Sequence, residues 1–126
     1  MTELSIKTPG KRVLVDITAQ IAGAIGGEDG VWMVYVPHTT AAVTINEGAD
    51  PTVARDIAMA LEKAVPEDLP YRHREGNSPA HVMTSLVGSS SFVAVEGGEL
   101  RLGTWQSIFL CEFDGPRTRE VWLRRL

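Results

Sequence analysis

The sequence predicts an α+β fold in a single domain spanning residues 1–126, with antiparallel sheets covered by helices. Three observations predict it. Strand-like segments and helix-like segments do not alternate regularly: strands come first, then a helix, more strands, one or two helices, and a long β run. The separators in the late β run, Glu96-Gly-Gly98, Gly103 and Asp114-Gly-Pro116, are turn chemistry suited to antiparallel connections. The chain has 126 residues, enough for one core but too few for an eight-fold α/β barrel, which needs about 200.

In chain order, Leu4 to Lys7 alternates polar and apolar and reads as a strand. Thr8-Pro-Gly-Lys11 is a turn, and Arg12 to Val15 resumes as a strand, so a hairpin is expected. Asp16 or Thr18 can cap a helix whose apolar face is Ile17, Ile21, Ala24 and Ile25, ended by Gly26-Gly27. Val31 to Val36 is a continuous apolar run, which predicts a central strand covered on both faces. Pro37 stops its ladder and leaves His38 just past the strand end.

Ala41 to Ile45 is the next strand. Asp50-Pro51 starts a helix, with Asp as N-cap and Pro at the first helical position. Its stripe is Val53, Ile57, Ala60, Leu61 and Ala64, and Asp56 lies on the border of that stripe. The segment from Pro66 to Pro79 is polar and proline-punctuated, a loop of a length that often signals function. A short helix over Ala80–Val87, closed by Gly88, precedes strands at Ser89–Val95, Glu99–Leu102, Thr104–Phe113 and Arg119–Leu123.

Composition narrows the function. The net charge is −4, with no dense basic run, which argues against nucleic acid as the main partner. No apolar run is long enough to span a membrane, and the first residues lack a signal peptide's apolar core. Cys111 has no partner for an internal disulfide, fits a reducing cytoplasm, and reads as a buried core thiol. The arginines at 117, 119, 124 and 125 would be split by a strand between two faces.

Candidate chemistry concentrates between His38 and Asp56 and in a few later positions. The histidines at 38, 73 and 81 match no local metal pattern, so their spacing alone favours separate roles over shared ligation. Asn46, Glu47, Asp50 and Asp56 offer oxygen ligands of the kind that hold the Mg2+ accompanying a phosphorylated substrate. Asp50 is already explained as a helix cap; Glu47, between a strand and Gly48, has no such structural reason. Trp105 and Gln106 could anchor and orient a ligand, although a plain core tryptophan is the simpler reading of the first. In Asp114-Gly-Pro-Arg117, the stiff proline would hold Arg117 at a strand end, a posture suited to clamping phosphate.

Taken together, His38-Thr-Thr, Asn46-Glu47 with Asp50, His73, His81, Ser85-Leu-Val-Gly88 and Gly97-Gly-Glu-Leu-Arg-Leu-Gly-Thr-Trp-Gln-Ser-Ile108 resemble the YjbQ family, also called UPF0047. The similarity covers nearly the whole chain. It implies a cytoplasmic two-sheet β-sandwich with two to three helices that assembles as a homotrimer. It also implies a secondary thiamine-phosphate synthase activity, joining a pyrimidine diphosphate to a thiazole phosphate with loss of pyrophosphate. Thr40 stands where the family often has Ser, and Ala41 where it often has Cys, which speaks against a cysteine-dependent mechanism.

On this resemblance His38, Asn46, Glu47, His73, His81 and Arg117 become the catalytic candidates. Thr39, Thr40, Asp50, Asp56, Trp105, Gln106 and Asp114 become candidates for holding substrate. The expected cofactor is a divalent ion. Glu47 with Asp50 or Asp56 suits Mg2+, whereas His38, His73 and His81 gathered in one pocket, with Glu47, would suit Zn2+. A metal- or phosphometabolite-binding trimer without dedicated catalysis is the alternative. Few helices for many apolar strands favour a trimer on sequence grounds, with sites between subunits.

Overall fold

The computed structural model describes residues 1–126 throughout. The elements are β1 (Thr2–Lys7), β2 (Val13–Asp16), α1 (Thr18–Ala24), β3 (Gly30–Tyr35), β4 (Ala41–Glu47), α2 (Pro51–Ala64), α3 (Ser78–Val87), β5 (Ser90–Glu96), β6 (Glu99–Leu100), β7 (Gln106–Glu112) and β8 (Thr118–Arg125). They form a five-stranded sheet in the order β1-β8-β3-β5-β6 and a three-stranded sheet in the order β2-β7-β4. Every pairing is antiparallel. The α+β class and the two-sheet arrangement are as expected.

The strand period of two sorts the core. From β7, Ile108 and Leu110 face the large sheet and pack with Val34, Val36, Val121 and Leu123 and with Ile17, Ile21 and Ile25 around α1. Its alternate residues, Phe109 and Cys111, face the other way, onto Ala80 and Met83 of α3 and the partly buried Ala54, Ile57 and Leu61 of α2. A fully buried side chain of this kind contributes roughly 1.5–3 kcal/mol. With buried residues on both faces, β7 holds three layers together: large sheet, small sheet, and the α2–α3 layer.

Two expectations need correction. The strand covered on both faces is β7, not the run Val31–Val36. Trp32, Val34 and Val36 are buried, but Val31 is 47% exposed and Met33 and Tyr35 are only half-buried. That apolar run is continuous because its outer residues, too, are apolar, not because this chain covers them. The expected hairpin is also absent: β1 pairs with β8, whereas β2 pairs with β7. Thr8–Arg12 crosses from one sheet to the other, beside the crossing that links β7 to β8. Thr8 N–H bonds the Arg117 carbonyl at 2.8 Å and Gly115 N–H bonds that of Lys11 at 3.0 Å. The crossings are so close that a Cβ on Gly115 would overlap the Gly10 carbonyl oxygen.

One helix cap follows the sequence and one does not. Asp50 accepts bonds from the Thr52 amide and hydroxyl at the start of α2. At α1 the N-cap is Ile17, not Asp16 or Thr18; Asp16, one residue further back, accepts the Thr18 amide and hydroxyl from outside the helix. α3 begins two residues before expected, at Ser78, with Pro79 in its first turn. No helix is long and apolar enough to cross a membrane.

Candidate functional site

Beneath the first cluster of polar residues lies a buried ion pair. Glu112 follows the apolar run Ile108–Cys111 at 0% exposure, and Arg119, which faces inward on β8 with Val121 and Leu123, is 4% exposed. Arg119 donates through Nε and Nη2 to both Glu112 carboxylate oxygens, the shortest bond being 2.5 Å. Nη2 also reaches the Thr40 hydroxyl at 2.8 Å and its carbonyl at 3.1 Å. Glu112 accepts further bonds from the Thr8 hydroxyl and the Asp114 amide. Burial alone would raise the Glu112 pKa, but the bonds from Arg119, Thr8 and Asp114 outweigh it and hold the carboxyl below its usual range.

This pair floors a polar cleft. His38, Thr39 and Thr40 arrive from the end of β3, His73, Glu75 and Asn77 from the long loop, His81 from α3, and Arg117 from the turn before β8. The cleft has a volume of about 420 Å3 and no hydrophobic residue in its lining. Arg117 donates to the Asp114 carbonyl at 2.7 Å and to its carboxylate at 3.0 Å. Asn77 Nδ2 donates to the same carboxylate oxygen at 2.9 Å. Asp114 is therefore the clip that holds Arg117 at the rim, as the proline-stiffened turn suggested. Its own carboxyl stays low: burial opposes ionisation, and the bonds from Asn77 and Arg117 overcome it.

The His73 and His81 rings meet edge to face, with centroids 5.2 Å apart. His38 Nε2 accepts the Glu120 amide N–H at 2.9 Å. Its pKa is lowered, first by burial and then by the nearby Arg119. The ring is consequently neutral at pH 7, with Nδ1 left as the nitrogen available to a ligand. A second lobe of about 350 Å3 shares His38, Thr39 and His81 and is completed by Thr84, Ser85, Gly88 and Ser89.

The other candidates lie elsewhere. β4 runs from Ala41 to Glu47, so its far end is about 20 Å from the cleft. Glu47 lines a different groove, of about 410 Å3, between α2 and the small sheet, with Asp16, Arg55, Ala58 and Phe109. Asn46 is exposed and accepts its neighbour's amide N–H. Gln106, paired opposite Glu47, accepts the Gly103 N–H at 2.8 Å, while Trp105 is 64% exposed. Asp50 is the α2 cap, and Asp56 stands exposed on that helix. Within one chain, the structure thus brings together His38, Thr39, Thr40, His73, His81, Asp114 and Arg117. It does not bring Asn46, Glu47, Asp50, Asp56, Trp105 or Gln106 to them.

Sequence reasoning missed Asn77, Thr84 and Arg119. For Arg119 a signal existed: it precedes Val121 and Leu123 at period two, which puts it on the buried face, where an arginine needs a buried acid.

The family model described as UPF0047 protein YjbQ-like matches residues 2–126. The chain belongs to the YjbQ family. It is 49% identical over 122 residues to a UPF0047 protein of Methanocaldococcus jannaschii, covering 94% of this chain and 88% of that protein. To the UPF0047 protein YugU of Bacillus subtilis it is 45% identical over 127 residues, covering 98% and 96%. The crystal structure of a conserved hypothetical protein from Thermus thermophilus superimposes with a TM-score of 0.96 at 46% identity, covering all of both chains. As a YjbQ-family chain it shares with these proteins the two-sheet fold that builds the cleft.

The cleft floor ties pH to stability. The unfolded chain protonates His38 near 6.5 and Glu112 near 4.5, whereas both folded values are lower. Below each ordinary value the unfolded state binds more protons, so stability is lost as pH falls through the folded values. Urea midpoints measured from pH 8 to pH 4 are expected to be level above about pH 6.5 and to decline below it. His38→Gln should flatten the upper part of the decline; an unchanged curve would remove His38 from the account.

Proposed function

We propose that the histidine–arginine cleft binds the phosphate of a small phosphorylated metabolite. The observation that carries this is the convergence of Arg117, His73 and His81 on a cleft whose other lining residues, apart from Pro37, are polar or charged, above a buried arginine. Arg117 offers a planar fork already oriented by Asp114, and phosphate offers several acceptor oxygens to it. Glu75 is the one carboxylate at the rim apart from the Asp114 clip, and it is 71% exposed, so it leaves the interior to the donors. Titration calorimetry with inorganic phosphate and pyrophosphate tests the reading. Binding is expected, and Arg117→Ala should weaken it about tenfold or more, the scale of a charge-assisted hydrogen bond. No binding of either anion, or equal affinity in the variant, would overturn it.

The resemblance adds a reaction, thiamine-phosphate synthesis in the cytoplasm. There the departing pyrophosphate needs electrostatic stabilisation, which Arg117 and the histidines are placed to give. Its Mg2+ would enter with the diphosphate. A zinc site has less support: His38 Nε2 is already engaged by Glu120 N–H, and Glu47 lies at the far end of β4. Neither lobe is lined by a Leu, Ile, Val, Phe, Tyr or Trp side chain to pack on a heterocycle, so Trp105, Gln106, Asn46 and Glu47 would take part from a neighbouring subunit. A purified-protein assay for pyrophosphate release, with His73→Ala and Glu47→Ala as variants, checks this; full activity in both would remove these roles.

The trimer that this reading needs is supported by the outer face of the large sheet. Val31, Met33, Tyr35, Phe92, Ala94 and Trp122 adjoin one another across β3, β5 and β8. Phe92 is 60% exposed, and Tyr35 stacks on Trp122 at 5.9 Å. The Trp122 indole N–H is buried without an acceptor. A contiguous apolar face of this kind fits subunit contact.

A further inference from the structure

The contact between His38 and Glu120 fixes which nitrogen of the imidazole carries its proton. β3 pairs with β8 as far as Tyr35 opposite Trp122, and the same register would set Pro37 opposite Glu120. Past Tyr35 the chain keeps to its other neighbour, with the Val36 N–H bonded to the Ser89 carbonyl at 2.8 Å. The Glu120 amide meets a ring nitrogen instead of a strand carbonyl: His38 Nε2 accepts it at 2.9 Å. A main-chain N–H can only donate, so Nε2 is the bare nitrogen and the neutral ring carries its proton on Nδ1. Turning the ring over would set a C–H against the Glu120 N–H, so the bond selects the ring's orientation as well. Nδ1 has no partner within the chain and is not buried, and the ring lines both lobes of the cleft.

A protonated Nδ1 excludes two roles that a histidine in a cleft can take. It is no general base, because that nitrogen already holds its proton and has no lone pair to offer. It is no metal ligand either. A ligating histidine gives its bare nitrogen to the metal and donates through the other, whereas here the bare nitrogen faces an N–H. What remains to the ring is donation to an acceptor. The segment is held for that purpose from a second side, since buried Arg119 donates to the Thr40 carbonyl and hydroxyl two residues on. We infer that His38 is a fixed neutral donor to the bound anion, a specificity-determining contact that selects phosphate oxygens over a metal ion at this position. This rests on the phosphate reading above and adds to it a contact whose proton is set by the main chain of β8.

Nuclear magnetic resonance of the full chain with nitrogen-labelled imidazoles reads the proton directly. At pH 7.5 His38 is expected to show a protonated Nδ1 and a bare Nε2; a proton on Nε2 would overturn the inference. Calorimetry with inorganic phosphate and with Zn2+ supplies the second arm. His38→Gln keeps an acceptor within reach of the Glu120 N–H but has no donor at the Nδ1 position. It should therefore fold and bind inorganic phosphate about tenfold more weakly, the scale of one hydrogen bond to a charged group. Equal phosphate affinity in the variant overturns the inference, and so does Zn2+ binding to the wild-type chain that His38→Gln abolishes. In each of these cases the phosphate reading stands as long as inorganic phosphate binds the wild-type chain. If it does not bind, that reading falls and this inference falls with it.

Discussion

Glu112→Ala is expected to destabilise the fold by about 3–5 kcal/mol, because it leaves the Arg119 guanidinium charged, buried and without its counter-ion. The loss extends beyond one pair. The same carboxylate receives the Thr8 hydroxyl and the Asp114 amide, so three chain segments lose a common acceptor. A domain of this size is stable by about 5–15 kcal/mol, so the variant would spend a measurable fraction of its time unfolded. Urea unfolding at pH 7.5 checks it, with the double variant Glu112→Leu/Arg119→Met as the informative comparison. Removing both charges should cost less than removing one, since no unpaired charge remains. A single-variant loss below about 1 kcal/mol would mean that the pair is solvated more than its burial indicates.

The second large effect concerns assembly. Met33 sits at the middle of the bare sheet face, opposite Phe92 on one side and Arg124 on the other. Met33→Glu places a carboxylate at the centre of that face and should convert the proposed trimer into a folded monomer. Light scattering should then fall from three times the 13.7 kDa chain mass to that mass itself. The far-ultraviolet dichroism should be retained, because Met33 points away from the core shared by the two sheets. A wild-type protein already at the single-chain mass would overturn the trimer. So would a glutamate variant that stays trimeric.

Local signals in the sequence carried the element boundaries, since caps, turn glycines and periodicity act within a few residues. Asp50-Pro51, Gly26-Gly27 and Gly88 all stand where they were expected to stop or start a helix. What one sequence could not carry was pairing between distant segments. Thr8-Pro-Gly-Lys11 has all the chemistry of a hairpin turn, yet the flanking strands bond to β8 and β7, more than a hundred and more than ninety residues away. The site divides the same way. Arg117 and Asp114 are neighbours in sequence, and their clip was visible in the turn. The meeting of His38 with His81 depends on the fold, and so does the distance that separates both from Glu47. Thr84 was invisible because its place beside His38 and His81 is set by the fold, not by the residue.

The pairing of the first strand with the last has a consequence for synthesis. In this chain only β5 and β6 join strands adjacent in sequence; β1, β2, β3 and β4 all wait for partners made later. β8 lies between β1 and β3, so β1 has no partner in the large sheet until residues 118–125 have been made. The nascent chain must therefore hold β1 unpaired until β8 is made, and β2 and β4 until β7 is made, while β3, β5 and β6 can already pair with one another. High contact order then slows the folding that follows. A chain stalled on the ribosome short of Thr118 should display a protease-sensitive β1, however well its helices have formed.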